Sequence, residues 1–108
     1  MQTLVIFDIG CTRLRNAVIN TCQDFGLDRI QFSVFQGALK EAARERLTAK
    51  FASLIEAHVQ KEKGPQRGQA LHIHLFPICS EEMAKALHLS RKSVAPVVSL
   101  EIPKNLFV

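Results

Sequence analysis

Asp8 is the residue of this chain best placed by sequence to do chemistry. It ends an apolar run in the stretch TLVIFDIG, residues 3–10. Burying an unpaired charge is costly, so a carboxylate there needs a partner or water. Two kinds of partner suit it. An Asp at a strand end can accept hydrogen bonds from backbone N–H groups of the following loop. It can also hold a divalent cation, because Mg²⁺ is commonly bound by one or two carboxylates, with waters and substrate phosphate completing the shell. Such an ion polarises a phosphodiester and activates water. One chain offers one carboxylate here, and two copies meeting near an axis would offer two. The residues alone leave both partners open.

Other chemistry-bearing side chains are cations and imidazoles. Arg13, Arg15 and Arg29 are candidate nucleic-acid contacts, since a guanidinium reads phosphate in a bidentate manner. Arg13 and Arg15 are two apart and diverge by about 200° on a helix, so only one of them can easily face Asp8. Ser33 has no paired base and is no nucleophile; it reads as a turn residue, and Phe35 as core or interface. His72 and His74 share one face of a strand. H-x-H can bind zinc, but no third ligand stands at a sensible spacing, which makes a solvated face or a polar interface the simpler assignment. Cys11, Cys22 and Cys79 are odd in number and form no CxxC pair, so they read as reduced thiols.

These groups need elements to hold them. Residues 3–9 are β-branched and aliphatic, a strand apolar on both faces: Leu4, Ile6 and Asp8 on one, Val5, Phe7 and Ile9 on the other. Such a strand is usually central and covered on both sides. Thr12 is expected to cap a helix reaching about residue 25, with Leu14, Val18, Thr21, Cys22 and Phe25 as its stripe and Gly26 at its end. Two short strands follow, with a turn at Phe32 and Ser33 or at Gln36 and Gly37; the first is favoured because it leaves residues 34–39 as a usable strand. Residues 41–59 form a second helix whose apolar face holds Leu47, Phe51, Leu54, Ile55 and His58, leaving Arg44, Glu45, Lys50 and Glu56 in solvent. Residues 60–69 are a charged loop with Gly64, Pro65 and Gly68. A strand over 70–78, a short helix over 81–89 capped by Ser80, and a terminal strand within 94–103 complete the chain. Pro96 cannot donate to a ladder and places that last strand at an edge or bulge.

The order is β-α-β-β-α-β with a short extra helix and a C-terminal strand. The fold class is α+β, a ferredoxin-like sandwich in a single domain over residues 1–108, with an antiparallel sheet and both helices on one face. The second face is left for a partner, most simply another copy of the chain. The terminal strand, residues 94–103, would then pair across the dimer and protect a sheet edge.

The totals agree with one globular domain. The 108 residues are 47% hydrophobic and 22% charged, enough apolar content for one core. A net charge of +4 favours a polyanionic partner. No apolar run is long enough to span a bilayer and no leader pattern precedes the first strand, so no membrane association is expected and the cytoplasm is the expected compartment.

Two segments carry a family resemblance. LVIFDIG, followed by a helix bearing Arg13 and Arg15, resembles the start of the small CRISPR-associated adaptation protein, the Cas-two family. GLDRIQFSVFQGAL, residues 26–39, is similar to that family's second signature around S-V-F-x-G, which Ser33 and Phe35 match. The resemblance implies a ferredoxin-like homodimer that partners the Cas-one integrase in spacer acquisition and binds duplex DNA as an adaptor. It also implies a Mg²⁺-dependent endonuclease acting on DNA or single-stranded RNA, with Mn²⁺ as a substitute ion and Asp8 as the catalytic metal residue. Where the family often carries Tyr, this chain has Phe7, and Gly10, Cys11 and Thr12 stand where further acidic or amide residues are frequent. A VapD-like toxin ribonuclease and a non-enzymatic ferredoxin-like assembly module are the alternatives.

Overall fold

The computed structural model describes residues 1–61 and 69–85, together with the backbone of 87–89 and 94–96. The elements run β1 (Gln2–Ile9), α1 (Thr12–Asp24), β2 (Asp28–Gln31), β3 (Val34–Ala38), α2 (Glu41–Lys61), β4 (Leu71–Ile78), α3 (Ser80–Met83), β5 (Leu87–Leu89) and β6 (Val94–Pro96). Strands β2-β3-β1-β4 form one antiparallel sheet, and β5-β6 form a separate two-stranded sheet. The α+β ferredoxin-like expectation therefore holds, with β1 between β3 and β4.

Alternation along β1 sends its side chains to two environments. Val5, Phe7 and Ile9 are buried with Leu14, Val18 and Cys22 of α1, Leu47 and Phe51 of α2, and Phe35 of β3. Phe7 and Phe35 stack with centroids 6.2 Å apart. On the opposite face exposure rises toward the strand's end: Gln2 is 2% exposed, Leu4 and Ile6 are half-buried, and Asp8 is exposed. In β4, Leu71, Ile73 and Leu75 pack against the core, while His72, His74 and Phe76 are exposed.

The turns carry the local logic. Gly26, at φ +80°, follows α1; its N–H donates to Gln23 O and the Leu27 N–H to Cys22 O. This is a Schellman end, which needs a left-handed residue and so favours glycine. Gly37 is required for a different reason: a Cβ there would lie 2.8 Å from Leu27 Cδ2 and 3.3 Å from Leu27 Cα. The hairpin turn falls at Phe32 and Ser33, between β2 and β3, as expected.

Four local expectations are corrected. The N-cap of α1 is Cys11, with no side-chain cap bond, and Thr12 is the first helical residue. Cys79 likewise precedes α3, and Ser80 lies inside it. That helix stops at Met83, because Leu87–Leu89 are extended and pair with Val94–Pro96; strand pairing overrides the helical composition of residues 81–89. Arg44, expected in solvent, is half-buried, and its Nη1 is buried without a hydrogen-bond partner. Residues 97–103, the remainder of the expected terminal strand, lie outside the described residues.

Candidate functional site

Asp8 stands near the C-terminal end of β1. Its position is fixed on both flanks. Toward β3, the Phe7 N–H donates to Ser33 O at 3.0 Å, continuing the ladder into the hairpin turn. Toward β4, Asp8 is paired in register with His72, and Ile9 with Leu71. The Gly10 N–H then donates to Ala70 O at 2.8 Å. Asp8 thus stands on a rigid central strand, beside β4 and just before the loop to α1.

Its carboxylate is exposed and has no hydrogen bond or ion pair with any described residue. The local alternative, in which Asp8 ties down the loop at Gly10, is absent from the structure. Another side chain does that work. Arg15 Nη1 donates to Ile9 O at 3.1 Å, and Arg15 Nη2 donates to Thr12 Oγ1 at 3.1 Å. A free carboxylate on a rigid strand suits a hard cation as one ligand, with water and phosphate oxygens as the others. Among the described residues no group of three or more His, Cys, Asp or Glu could hold a metal. Mg²⁺ is thus compatible with the donor present, as an ion held mainly by non-protein oxygens.

The other predicted residues separate. Arg13 is exposed and lines a groove of about 700 Å³ between the start of α1 and the end of α2, with Gly10, Thr12, His58, Lys61 and Gln69. That groove lies on the helix side of the sheet, away from the face that bears Asp8. Arg29 clamps the hairpin turn: Nη2 and Nε donate to Phe32 O at 2.6 and 3.0 Å, and the guanidinium lies over the rings of Phe32 and Phe35. Phe7 and Phe35 are core, and Ser33 contributes its carbonyl to the ladder. The structure therefore sets Asp8 apart from the three arginines, and of these three Arg13 alone has its guanidinium without an intramolecular hydrogen bond among the described residues.

His72 is the residue that the spacing argument discounted and the register brings in. No third ligand stands along β4, and the neighbour that meets His72 comes from β1. H-x-H beside a carboxylate-bearing strand is the signal, but only the pairing of β1 with β4 shows which histidine meets Asp8. The cysteines form no site: Cys79 is exposed, Cys11 half-buried and Cys22 buried, all as free thiols. Burial pushes the Cys22 thiol up to about 12, which keeps it protonated and unreactive at neutral pH.

Residues 1–86 match the family described as CRISPR associated protein Cas2. A protein of Desulforudis audaxviator (strain MP104C) called CRISPR-associated endoribonuclease Cas2 is 32% identical over 92 residues, covering 83% of this chain and 76% of that protein. CRISPR-associated endoribonuclease Cas2 2 of Chloroflexus aurantiacus (strain ATCC 29366 / DSM 635 / J-10-fl) is 40% identical over 58 residues, covering 54% of this chain and 68% of that protein. The chain belongs to the Cas2 family, and its role is CRISPR-associated.

Proposed function

We propose that this Cas2 family chain works as a homodimer in spacer acquisition, binding duplex DNA as the adaptor for the Cas-one integrase. The observation that carries the dimer is the sheet face opposite the helices. Leu4 and Ile6 are half-buried there and Phe76 is 44% exposed, and none of the three belongs to the core that β1 builds with α1 and α2. A second copy would remove this apolar surface from water. The outer edge of β4 is unpaired among the described residues, offering a strand of the neighbour a ladder to join. DNA contact would be made through phosphates, with Arg13 and its groove on the outer side and a net charge of +4 supplying attraction that falls steeply with salt. The test is duplex binding by integrase with and without the purified chain. Tighter binding with the chain present is expected; equal binding sinks the adaptor role.

A specific observation favours a second activity, metal-dependent endonuclease cleavage of RNA or DNA. The relatives above are named endoribonucleases, and the Asp8 carboxylate is exposed, rigidly placed and unpaired. When bound, Mg²⁺ or Mn²⁺ supplies Lewis acidity toward a phosphodiester oxygen and an activated water. Asp8 would hold the ion on the strand end, leaving its remaining positions for water and the phosphate oxygens of the substrate. Asp8→Asn is expected to abolish cleavage of a labelled single-stranded RNA while leaving the elution volume and melting temperature unchanged. Cleavage that survives the substitution or EDTA assigns the activity elsewhere.

A further inference from the structure

We infer that His72 is a second metal ligand beside Asp8, so that each chain presents a mixed carboxylate–imidazole half-site which prefers a transition ion such as Mn²⁺ or Co²⁺ to Mg²⁺. The inference rests on the metal-dependent reading of Asp8.

Asp8 and His72 are direct partners in the antiparallel β1–β4 ladder, so their side chains share one face. Opposed residues of this kind have Cβ atoms about 4.5–5.5 Å apart, close enough for a carboxylate oxygen and a ring nitrogen to converge on one ion. Both residues are exposed on the face opposite the helices, and neither has a hydrogen-bond or ion-pair partner among the described residues. The register is held beyond the pair by Ile9↔Leu71 and by the Gly10 N–H to Ala70 O bond. His74 is a built-in contrast. It lies two residues further along β4, opposite Ile6, and its ring stacks on Phe76 at 6.1 Å with 5° between the planes. That places it diagonal to Asp8, about 7–8 Å away by sheet geometry, and commits its ring to another contact.

The ligand chemistry sets the ion. Mg²⁺ seeks oxygen donors and retains its waters. An imidazole nitrogen adds affinity for first-row transition ions over Mg²⁺, least for Mn²⁺ and more for Co²⁺ along the Irving–Williams order. Two protein ligands leave most coordination positions for water and phosphate oxygens, the open shell of a catalytic site rather than the closed shell of a structural one.

Binding of Mg²⁺, Mn²⁺ and Co²⁺ to the full chain at pH 7.5 tests this, read by calorimetry, by loss of the free Mn²⁺ paramagnetic resonance signal and by the visible absorption of bound Co²⁺. His72→Ala and His72→Gln are expected to weaken Co²⁺ at least about tenfold and Mn²⁺ by a smaller factor of about three or more, to change the Co²⁺ spectrum, and to move Mg²⁺ by less than about twofold. His74→Ala should leave all three ions within about twofold, and Asp8→Asn should weaken all three. Elution volume and melting temperature confirm that each variant is folded. Folded His72 variants that bind Mn²⁺ and Co²⁺ like the wild type overturn the inference while leaving Asp8 as a metal residue. If Asp8→Asn also leaves binding unchanged, or the wild type shows no saturable binding, the metal reading of Asp8 falls with it.

Discussion

The two faces of β1 are built from one strand and solve different problems. On the helix side Val5, Phe7 and Ile9 are at most 4% exposed and meet aromatic and aliphatic partners from α1, α2 and β3. On the other side Leu4 and Ile6 are half-covered, and Asp8, His72 and Phe76 reach solvent. The first face is completed within the chain. The second bears half-covered apolar area and unpaired donors, which another copy and an ion would complete on the function proposed above. Strand alternation alone separates stability from function by one residue.

Substitutions can break this contrast, and the largest effect belongs to the covered face. Phe35→Ala should cost about 3–5 kcal/mol, because it removes a fully buried ring and its stack with Phe7. Phe76→Ala should stay within about 0.5 kcal/mol for the monomer while weakening self-association. Urea midpoints measured at concentrations below dimer formation compare the two, and equal losses would refute the two-face description. Gly37→Ala follows at about 1–3 kcal/mol, since its Cβ would force Leu27 to shift. Gly26→Ala should cost about 1–2 kcal/mol, for the left-handed backbone rather than for space.

The arginines sharpen the contrast at a smaller scale. Arg29→Ala should lose about 1 kcal/mol through its clamp on the Phe32 carbonyl, visible as a lower melting temperature. Arg13→Ala should leave the melting temperature unchanged and lower the salt slope of nucleic-acid binding by about one. The opposite pattern would exchange the structural and binding roles assigned here.

The thiols give the mildest test. Cys79 should react with an alkylating reagent in the native protein, whereas Cys22 should react only after unfolding. Cys22 also carries a pH signature. Its folded value is raised from 9.0 to about 12, so its contribution is constant below pH 9. Above that the unfolded chain ionises first, and stability should fall as pH rises. A melting temperature that is flat between pH 8 and 10.5, with other groups accounted for, would contradict the burial of Cys22.

Much of this was legible before the fold was known, for reasons that can be stated. Alternation in β1, the stripe of α1, Gly26 at its end and the turn at Phe32 and Ser33 are short-range patterns that the chain writes locally. The end of α3 is not legible locally, because a pairing partner beyond position 90 decides whether Leu87–Leu89 are helical or extended. The site divides in the same way. Asp8 stands out in one stretch of sequence. The clamp roles of Arg15 and Arg29 depend on carbonyls reached only after the turns close, and His72 depends on the register between the first and last strands of the sheet.

That register has a consequence for how the molecule forms. The β2–β3 hairpin and the turns of α1 and α2 join near neighbours in sequence, whereas β1 and β4 are separated by both helices and the hairpin. Closing so long a loop is entropically slow relative to local contacts, so non-local strand pairing sets the pace of folding in such topologies. Asp8 and His72 meet only when that ladder zips. On the proposed ligation, a refolding chain should acquire Mn²⁺ or Co²⁺ affinity in the last kinetic phase, making ion capture a clock for completion of the sheet.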